Sequence, residues 1–152
     1  MVKGQPWGKG KMQFPEGHAL DLYTGQLRDG RFHGHGRLVY ANGFSYEGDW
    51  DCGLFARKGV LKAGPETYKG EFSEGLYHGY GEWNHGLAFY SGLWEAGVPE
   101  GRGDCKDWEG EAFAGVFVKG VPAVRTKLQP SFLELVQSRV KDLASLVVKF
   151  PL

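Results

Sequence analysis

Five histidines and two cysteines are the side chains of this sequence best suited to metal ligation or nucleophilic catalysis. His18, His35 and His85 show no metal-ligand spacing with the two cysteines. His33 and His78 each precede a Gly-x-Gly segment, so a repeated structural pattern accounts for both. No feature favours a Cys/His catalytic pair. The sequence therefore predicts a protein that is not an enzyme and that has no catalytic residue, metal site or cofactor.

Two glycine-rich segments, residues 8–11 and 33–36, resemble phosphate-binding loops in composition. Both lack the strand-to-helix context that such a loop needs. The chain contains 25 glycines and 22 aromatic residues, made up of 5 Trp, 7 Tyr and 10 Phe. Because a disordered chain would be poor in aromatics, we expect these glycines to hold defined positions in a folded structure.

A unit of 22 or 23 residues repeats along the chain. Each unit begins with an aromatic-x-Gly tripeptide, carries a large apolar residue four places later and has a glycine seven places after its start. Units of this length must stack to build a continuous core. Trp108 also begins an aromatic-x-Gly tripeptide. Alignment of Gly110 with Gly43, however, identifies Phe113 as the start of the last unit. The units start at Tyr23, Tyr46, Tyr68, Tyr90 and Phe113, and a half unit spans residues 7–22.

The spacing within a unit is that of two short strands. In residues 46–50, Tyr46, Gly48 and Trp50 follow period 2 and point to one face, which we call the aromatic face. The alternate residues point to the opposite face, called here the second face. A strand glycine is tolerated where an aromatic ring of a neighbouring strand covers it. The Gly-x-Gly segment forms the second strand, and Asn42-Gly43 is a strong hairpin signal. Each repeat is therefore predicted to be a β-hairpin.

The pattern resembles the MORN repeat family, whose unit runs approximately Tyr-Glu-Gly-Glu-Trp-x-x-Gly-x-x-x-Gly-x-Gly. Residues 46–50 and 68–81 match it closely, and the resemblance covers roughly residues 7–120. Arg57 and Leu27 depart from it. The resemblance implies an all-β fold, a single-layer twisted antiparallel sheet of tandem β-hairpins. It also implies a non-catalytic binding surface with an aromatic-lined groove, of the kind used by adaptors in the cytoskeleton, cilia and membrane junctions.

The glycines stop after residue 122, and a linker over residues 123–130 is predicted to lead into an amphipathic helix over 131–150. Ser131 as N-cap and Glu134 form a capping box. We expect the helix to cap the last sheet edge by packing on the second face, which turns apolar at Leu93 and Val116. Alternatives are docking on a partner, on a second copy in a homodimer, or on a membrane. The predicted docking residues are Phe132, Leu135, Val136, Val140, Leu143 and Val147.

Charge is unevenly distributed in a chain whose formal net charge is zero. Residues 40–115 carry 13 acidic and 6 basic side chains, whereas both ends are basic. Such a middle section repels nucleic acid and anionic bilayers and attracts a basic peptide or amphipathic helix; an unevenly charged solvated surface is the alternative. Because one sheet layer cannot bury both faces, part of the aromatic row is expected to stay accessible. The predicted partner-binding residues are Tyr46, Trp50, Tyr68, Phe72, Tyr90, Trp94, Glu47, Asp49 and Glu71.

No segment reaches the roughly 18–20 apolar residues of a membrane span, and the N-terminal sequence lacks the apolar stretch of a signal peptide. We therefore expect a cytoplasmic protein in which Cys52 and Cys105 are free thiols, because the repeat spacing separates them by about 20 Å. The predicted function is a protein-binding adaptor or structural module of a cytoskeletal or ciliary assembly. Alternatives are a phosphoinositide-binding membrane tether that uses the basic ends, and a regulatory segment of an enzyme complex.

Overall fold

The computed structural model of the chain describes residues 8–146. Eleven antiparallel strands form one open sheet in which each strand pairs with its neighbours in sequence. This arrangement confirms the predicted all-β meander of hairpins. The strands are β1 (Gly8–Gln13), β2 (Leu20–Arg28), β3 (Arg31–Tyr40), β4 (Ser45–Asp51), β5 (Leu54–Ala63), β6 (Glu66–Ser73), β7 (Leu76–His85), β8 (Ala88–Glu95), β9 (Val98–Lys106), β10 (Ala112–Val118) and β11 (Val121–Pro122).

A row of glycines crosses the sheet, with one glycine from each strand from β1 to β10. Each member lies opposite the next: Gly10, Gly25, Gly36, Gly48, Gly59, Gly70, Gly81, Gly92, Gly103 and Gly115. Tyrosine rings fill the space that side chains would take, since a Cβ built on Gly81 would lie 2.0 Å from the Tyr68 hydroxyl oxygen. The Tyr68 hydroxyl then donates to the Glu71 carbonyl oxygen at 2.7 Å. The predicted covering of strand glycines by aromatic rings is therefore confirmed.

Five hairpins turn through an X-Gly pair in which both residues have positive φ, as in type I′ turns. Ala96 (φ 49°) and Gly97 (φ 88°) are one such pair. The prediction that Asn42-Gly43 is a two-residue hairpin turn is wrong, because four residues join β3 to β4. The Asn42 side-chain oxygen accepts the Phe44 N–H at 3.0 Å, which stabilises the wider turn.

A bulge recurs in the second strand of the hairpins, where the chain adopts positive φ at Gly34, Gly79 and Gly101. Arg57 occupies the equivalent place in β5 with φ 47°. The departure of Arg57 from the repeat pattern thus leaves the backbone conformation intact and imposes a left-handed conformation on a residue that has a Cβ.

The Arg57→Gly variant is expected to raise the free energy of unfolding by about 1 kcal/mol, because it relieves this conformation. The variant also loses the exposed ion pair of Arg57 with Asp49, at 3.8 Å, and the hydrogen bond from Arg57 Nη2 to the Trp50 carbonyl oxygen, at 3.2 Å; we expect the relief of strain to exceed both. Chemical denaturation measures the change. Gly79→Ala is the matched control and should destabilise the protein, since its Cβ would meet the Glu71 carboxyl group at 2.8 Å. A less stable Arg57→Gly variant would show that the arginine contacts outweigh the strain.

The C-terminal helix has 15 residues and is interrupted at Ser138, which separates α1 (Pro130–Gln137) from α2 (Arg139–Ala144). The predicted Ser131 capping box is wrong: the N-cap is Gln129, without a side-chain cap among the described residues. Pro130 explains the earlier start, because its fixed φ suits the first helical turn. The helix ends at Ala144 and a turn follows over residues 145–146, so it stops short of the predicted end at 150. The predicted helix residues 147–150, with the predicted contribution of Val147, lie outside the described residues.

Candidate functional site

The C-terminal helix packs on the aromatic face of the sheet. The Phe132 ring lies 6.2 Å from the Trp83 ring and 6.0 Å from the Trp108 ring, measured between centroids. At the other end of the helix, the Tyr40 hydroxyl donates to the Leu146 carbonyl oxygen at 2.8 Å. The expectation that the helix packs on the second face is therefore wrong. The apolar residues of the second face near the C-terminus, Leu93 among them, remain exposed.

The predicted aromatic partner-binding residues form the core of the protein. None exceeds 4 % exposure: Tyr46, Trp50, Tyr68, Phe72, Tyr90 and Trp94. The rings also cover one another, since Tyr68 stacks on Tyr77 at 3.6 Å and meets Phe72 edge-on at 5.0 Å. The expectation that part of this row stays accessible is wrong, because the helix and rings from adjacent strands close over it.

A buried ion pair fixes the helix on the sheet. The Arg139 guanidinium donates to the Glu66 carboxylate, and both residues are buried. Glu66 also accepts the Trp83 indole N–H at 2.6 Å and the Tyr77 hydroxyl at 3.3 Å. The pKa of Tyr77 lies well above its ordinary range, mainly because the hydroxyl is buried and secondly because the Glu66 carboxylate is negatively charged. This hydroxyl therefore stays protonated and donates. A network in which each buried charge has a partner favours a single helix register.

Neither Arg139 nor Glu66 is among the site residues predicted from the sequence. The available signal was that Glu66 lies two residues before Tyr68, so period 2 directs its carboxylate to the aromatic face. An ionised group there requires a buried partner. Of the predicted helix residues, Phe132, Val136 and Leu143 are buried, whereas Leu135 is half-buried and Val140 is exposed while contacting Gly97.

The predicted carboxylates lie on the second face, which carries a groove of about 500 Å³ over β3 to β7. Glu47 and Glu71 line this groove together with Lys58, Tyr80 and Glu82. Two of the predicted carboxylates also serve the bulges. Asp49 accepts the Lys58 N–H at 3.4 Å, and Glu71 accepts the Tyr80 N–H at 2.9 Å. We call this region the acidic groove.

Next to the acidic groove, the second face carries exposed apolar side chains, called here the apolar patch. Its members are 40–49 % exposed: Tyr80, Leu93, Val116, Val118 and Val121. Tyr80 faces Leu93 across β7 and β8, and Val118 faces Val121 across β10 and β11. Leu93 occupies the repeat position of Gln26, whose side-chain oxygen accepts the His35 N–H at 2.7 Å. A leucine cannot make this bond; Leu93 lies against the bulge glycine Gly101 and leaves 42 % of its surface exposed.

The side chains just before the Gly-x-Gly segments accept hydrogen bonds from backbone N–H groups in the hairpin turn of the following repeat. The His33 Nδ1 atom accepts the Cys52 N–H at 3.1 Å, and the His78 Nδ1 atom accepts the Ala96 N–H at 3.4 Å. These contacts confirm that the repeat accounts for both histidines. Both cysteines are free, as predicted; burial raises the pKa of the Cys105 thiol to about 12, which makes this thiol inert.

A row of stacked β-hairpins with one covered and one exposed face defines a tandem-repeat protein. The MORN repeat model matches residues 1–19, 23–45, 46–63, 68–83 and 90–107, which together exceed half of the chain, and the chain belongs to this family. MORN repeats are non-catalytic and are generally protein- or membrane-interaction modules. No match is found among curated proteins. Within residues 8–146, no helix has the length and apolar character needed to cross a membrane.

Proposed function

We propose that this chain is a non-catalytic protein-interaction module whose second face binds a basic amphipathic segment of a partner protein. The apolar patch carries the proposal, because it stays exposed while the helix covers the aromatic face. Exposed apolar side chains grouped among polar ones mark interaction sites. In this group Arg102 of β9 lies opposite Val116. Leu93 supports the proposal further, since it replaces a side chain that could support the bulge.

The chemistry of the partner follows from the two adjoining surfaces. The apolar patch suits leucine- or phenylalanine-type side chains, and Tyr80 borders both surfaces. In the acidic groove, Glu47, Glu71 and Glu82 outnumber Lys58 and Lys69. Basic side chains on a partner would meet these carboxylates, which favours association and sets orientation. A peptide with one apolar and one basic face therefore fits both surfaces together.

The Leu93→Gln variant tests this assignment with little risk to the fold, because glutamine can accept the Arg102 N–H as Gln26 accepts that of His35. The probe is a synthetic amphipathic peptide of leucine and lysine, titrated by fluorescence anisotropy. We expect Leu93→Gln to weaken binding about tenfold, the equivalent of losing roughly 1.4 kcal/mol of apolar contact. Leu87→Gln is the matched control, since Leu87 is exposed in a turn outside the apolar patch.

Equal binding by wild type and Leu93→Gln would refute the assignment of the apolar patch. A leucine–glutamate peptide of the same length tests the charge preference and should bind at least about tenfold more weakly. Raising the salt concentration should reduce this difference, because exposed charges are screened. If the two peptides bind alike, the assignment of a basic partner is wrong.

The proposed setting is a cytoskeletal or ciliary assembly in the cytoplasm; the general role of MORN repeats as interaction modules supports it. Microscopy of the fluorescently tagged chain tests it. The wild type should colocalise with microtubule- or actin-based structures, and Leu93→Gln should be diffuse. Wild-type staining confined to a membrane, or no difference between the two, would reject this setting.

A second candidate is an anionic-membrane tether, favoured by the basic residues Lys9, Lys11 and Arg37 at the N-terminal end of the second face. Lys11 pairs with Thr24, which pairs in turn with Arg37, so two of these cations lie on one cross-strand row. Co-sedimentation with phosphoinositide-containing vesicles should then fall in the Lys11→Glu, Arg37→Glu double variant. Unchanged sedimentation of that variant would exclude tethering through this end.

A further inference from the structure

The turn between β4 and β5 brings three different metal-ligating side chains together. The ligand atoms of His33, Asp51 and Cys52 all lie within 4.8 Å of one another. The His33 Nδ1 atom is 3.7 Å from a carboxylate oxygen of Asp51. The same nitrogen accepts the Cys52 N–H, so its lone pair is directed towards the turn. One imidazole, one carboxylate and one thiol thus converge at the end of a hairpin.

We propose that His33, Asp51 and Cys52 bind a divalent cation of the zinc class, with water in the remaining coordination position. A mixed nitrogen, sulfur and oxygen donor set suits zinc, which takes about four ligands at roughly 2.0–2.3 Å. Magnesium and calcium require oxygen ligands and do not match this set. The site is independent of the proposed partner binding, because none of the three residues belongs to the apolar patch.

Binding requires local rearrangement that the exposure of the site permits. The ligand atoms of a tetrahedral zinc ion lie closer together than 4.8 Å, so Asp51 and Cys52, both exposed, must rotate inward. Formation of the sulfur–zinc bond releases the thiol proton to solvent, with no change in oxidation state. Ligation through His33 Nδ1 replaces the hydrogen bond from the Cys52 N–H, which then turns to water at an exposed turn.

The repeat supplies an internal comparison. His78, Glu95 and Ala96 occupy the places of His33, Asp51 and Cys52, and the Ala96 N–H likewise donates to His78 Nδ1. The turn therefore forms with the same histidine contact and without a thiol. The hydrogen bond that stabilises the turn accounts for His33. It does not account for Cys52 next to Asp51, since alanine occupies the place of Cys52 in the other repeat. Cys52 has φ 47°, which a cysteine adopts at a cost.

Titration of the reduced, full-length chain with Co²⁺ and then Zn²⁺ tests the site. Co²⁺ should produce a thiolate-to-metal absorption band that saturates at one equivalent, and Zn²⁺ should abolish it. Zn²⁺ should also slow alkylation of Cys52 about tenfold or more, because a ligated thiolate is not a free nucleophile. No band, or alkylation that Zn²⁺ does not slow, would overturn the proposal.

Two variants separate a three-ligand site from adventitious binding to a thiol. His33→Gln removes the imidazole but keeps a side-chain oxygen for the Cys52 N–H, much as Glu100 accepts the Lys119 N–H at 2.8 Å. Zn²⁺ affinity should fall about tenfold or more in His33→Gln and in Asp51→Asn, with melting temperatures near that of the wild type. Unchanged affinity in either variant would show that the replaced residue is not a ligand and would overturn the three-ligand site.

The Ala96→Cys variant tests whether this turn geometry is sufficient for metal binding. It places a thiol beside His78 and Glu95, so a second equivalent of Co²⁺ should bind with the same absorption band. Alkylation with a thiol reagent first establishes that the introduced thiol is accessible. If that thiol is accessible and no second equivalent binds, the inference that this turn geometry makes a metal site is refuted.

Discussion

The Trp50→Ala variant is expected to lose about 3–5 kcal/mol of unfolding free energy, the range for removing a fully buried tryptophan. The Trp50 ring meets the rings of Tyr46, Phe32 and Phe55 at 5.0–5.1 Å. Its indole N–H donates to the Gly36 carbonyl oxygen at 3.1 Å. Because these contacts join neighbouring hairpins, the loss should spread to adjacent repeats. Urea denaturation followed by circular dichroism measures it.

The control for this prediction is Tyr80→Ala, which removes a half-exposed aromatic residue from the apolar patch. It should cost less than about 1 kcal/mol, because its surroundings are already solvated. Trp50 is one of the predicted partner-binding residues, but the structure buries it completely, so the variant is expected to lose stability first. A folded Trp50→Ala variant of nearly wild-type stability that has lost partner binding would restore the aromatic face as the contact surface.

The Arg139→Met variant is expected to cost about 3–5 kcal/mol, because it leaves the Glu66 carboxylate buried without its charge partner. Adding Glu66→Gln should recover much of that loss. Glutamine removes the charge, and its amide oxygen still accepts the Trp83 indole N–H. Thermal and urea unfolding of the two single variants and the double variant give the coupling between the two positions.

Lys141→Met is the matched control for the helix, since Lys141 is exposed on α2. It should change stability by no more than about 0.5 kcal/mol. If Arg139→Met is as stable as Lys141→Met, the ion pair does not hold the helix. If Glu66→Gln gives no recovery in the double variant, the loss comes from packing of the arginine side chain and not from its charge.

The sheet could be predicted in detail because its information is local. Spacing within 22 or 23 residues determines which residues share a face, and the repetition fixes the glycine opposite each tyrosine. The Tyr68 ring over Gly81 is an example, because the repeat spacing places a glycine on the next strand beneath the tyrosine. The repeat also fixes the backbone at Arg57. The bulge with positive φ is kept there although arginine replaces the glycine of the other repeats.

The position of the helix could not be predicted because it depends on contacts far apart in sequence. Glu66 and Arg139 are 73 residues apart, and no spacing relates them. Apolar residues such as Leu93 and Val116 made the second face resemble a docking surface for the helix. The helix instead packs on the aromatic face, where Phe132 is buried beside Trp83. Because the helix covers the aromatic face, the aromatic row is inaccessible to a partner. The candidate interaction site is therefore the apolar patch, which stays exposed.

Assignment of the interaction surface to the second face is tested most directly by mapping amide chemical shifts during titration with the leucine–lysine peptide. The expected perturbations lie around Tyr80, Leu93 and Val116, with the resonances of Phe132 and Val136 unchanged because the helix stays in place. Perturbations centred on Tyr46, Trp50 and Tyr68, accompanied by release of the helix, would contradict it.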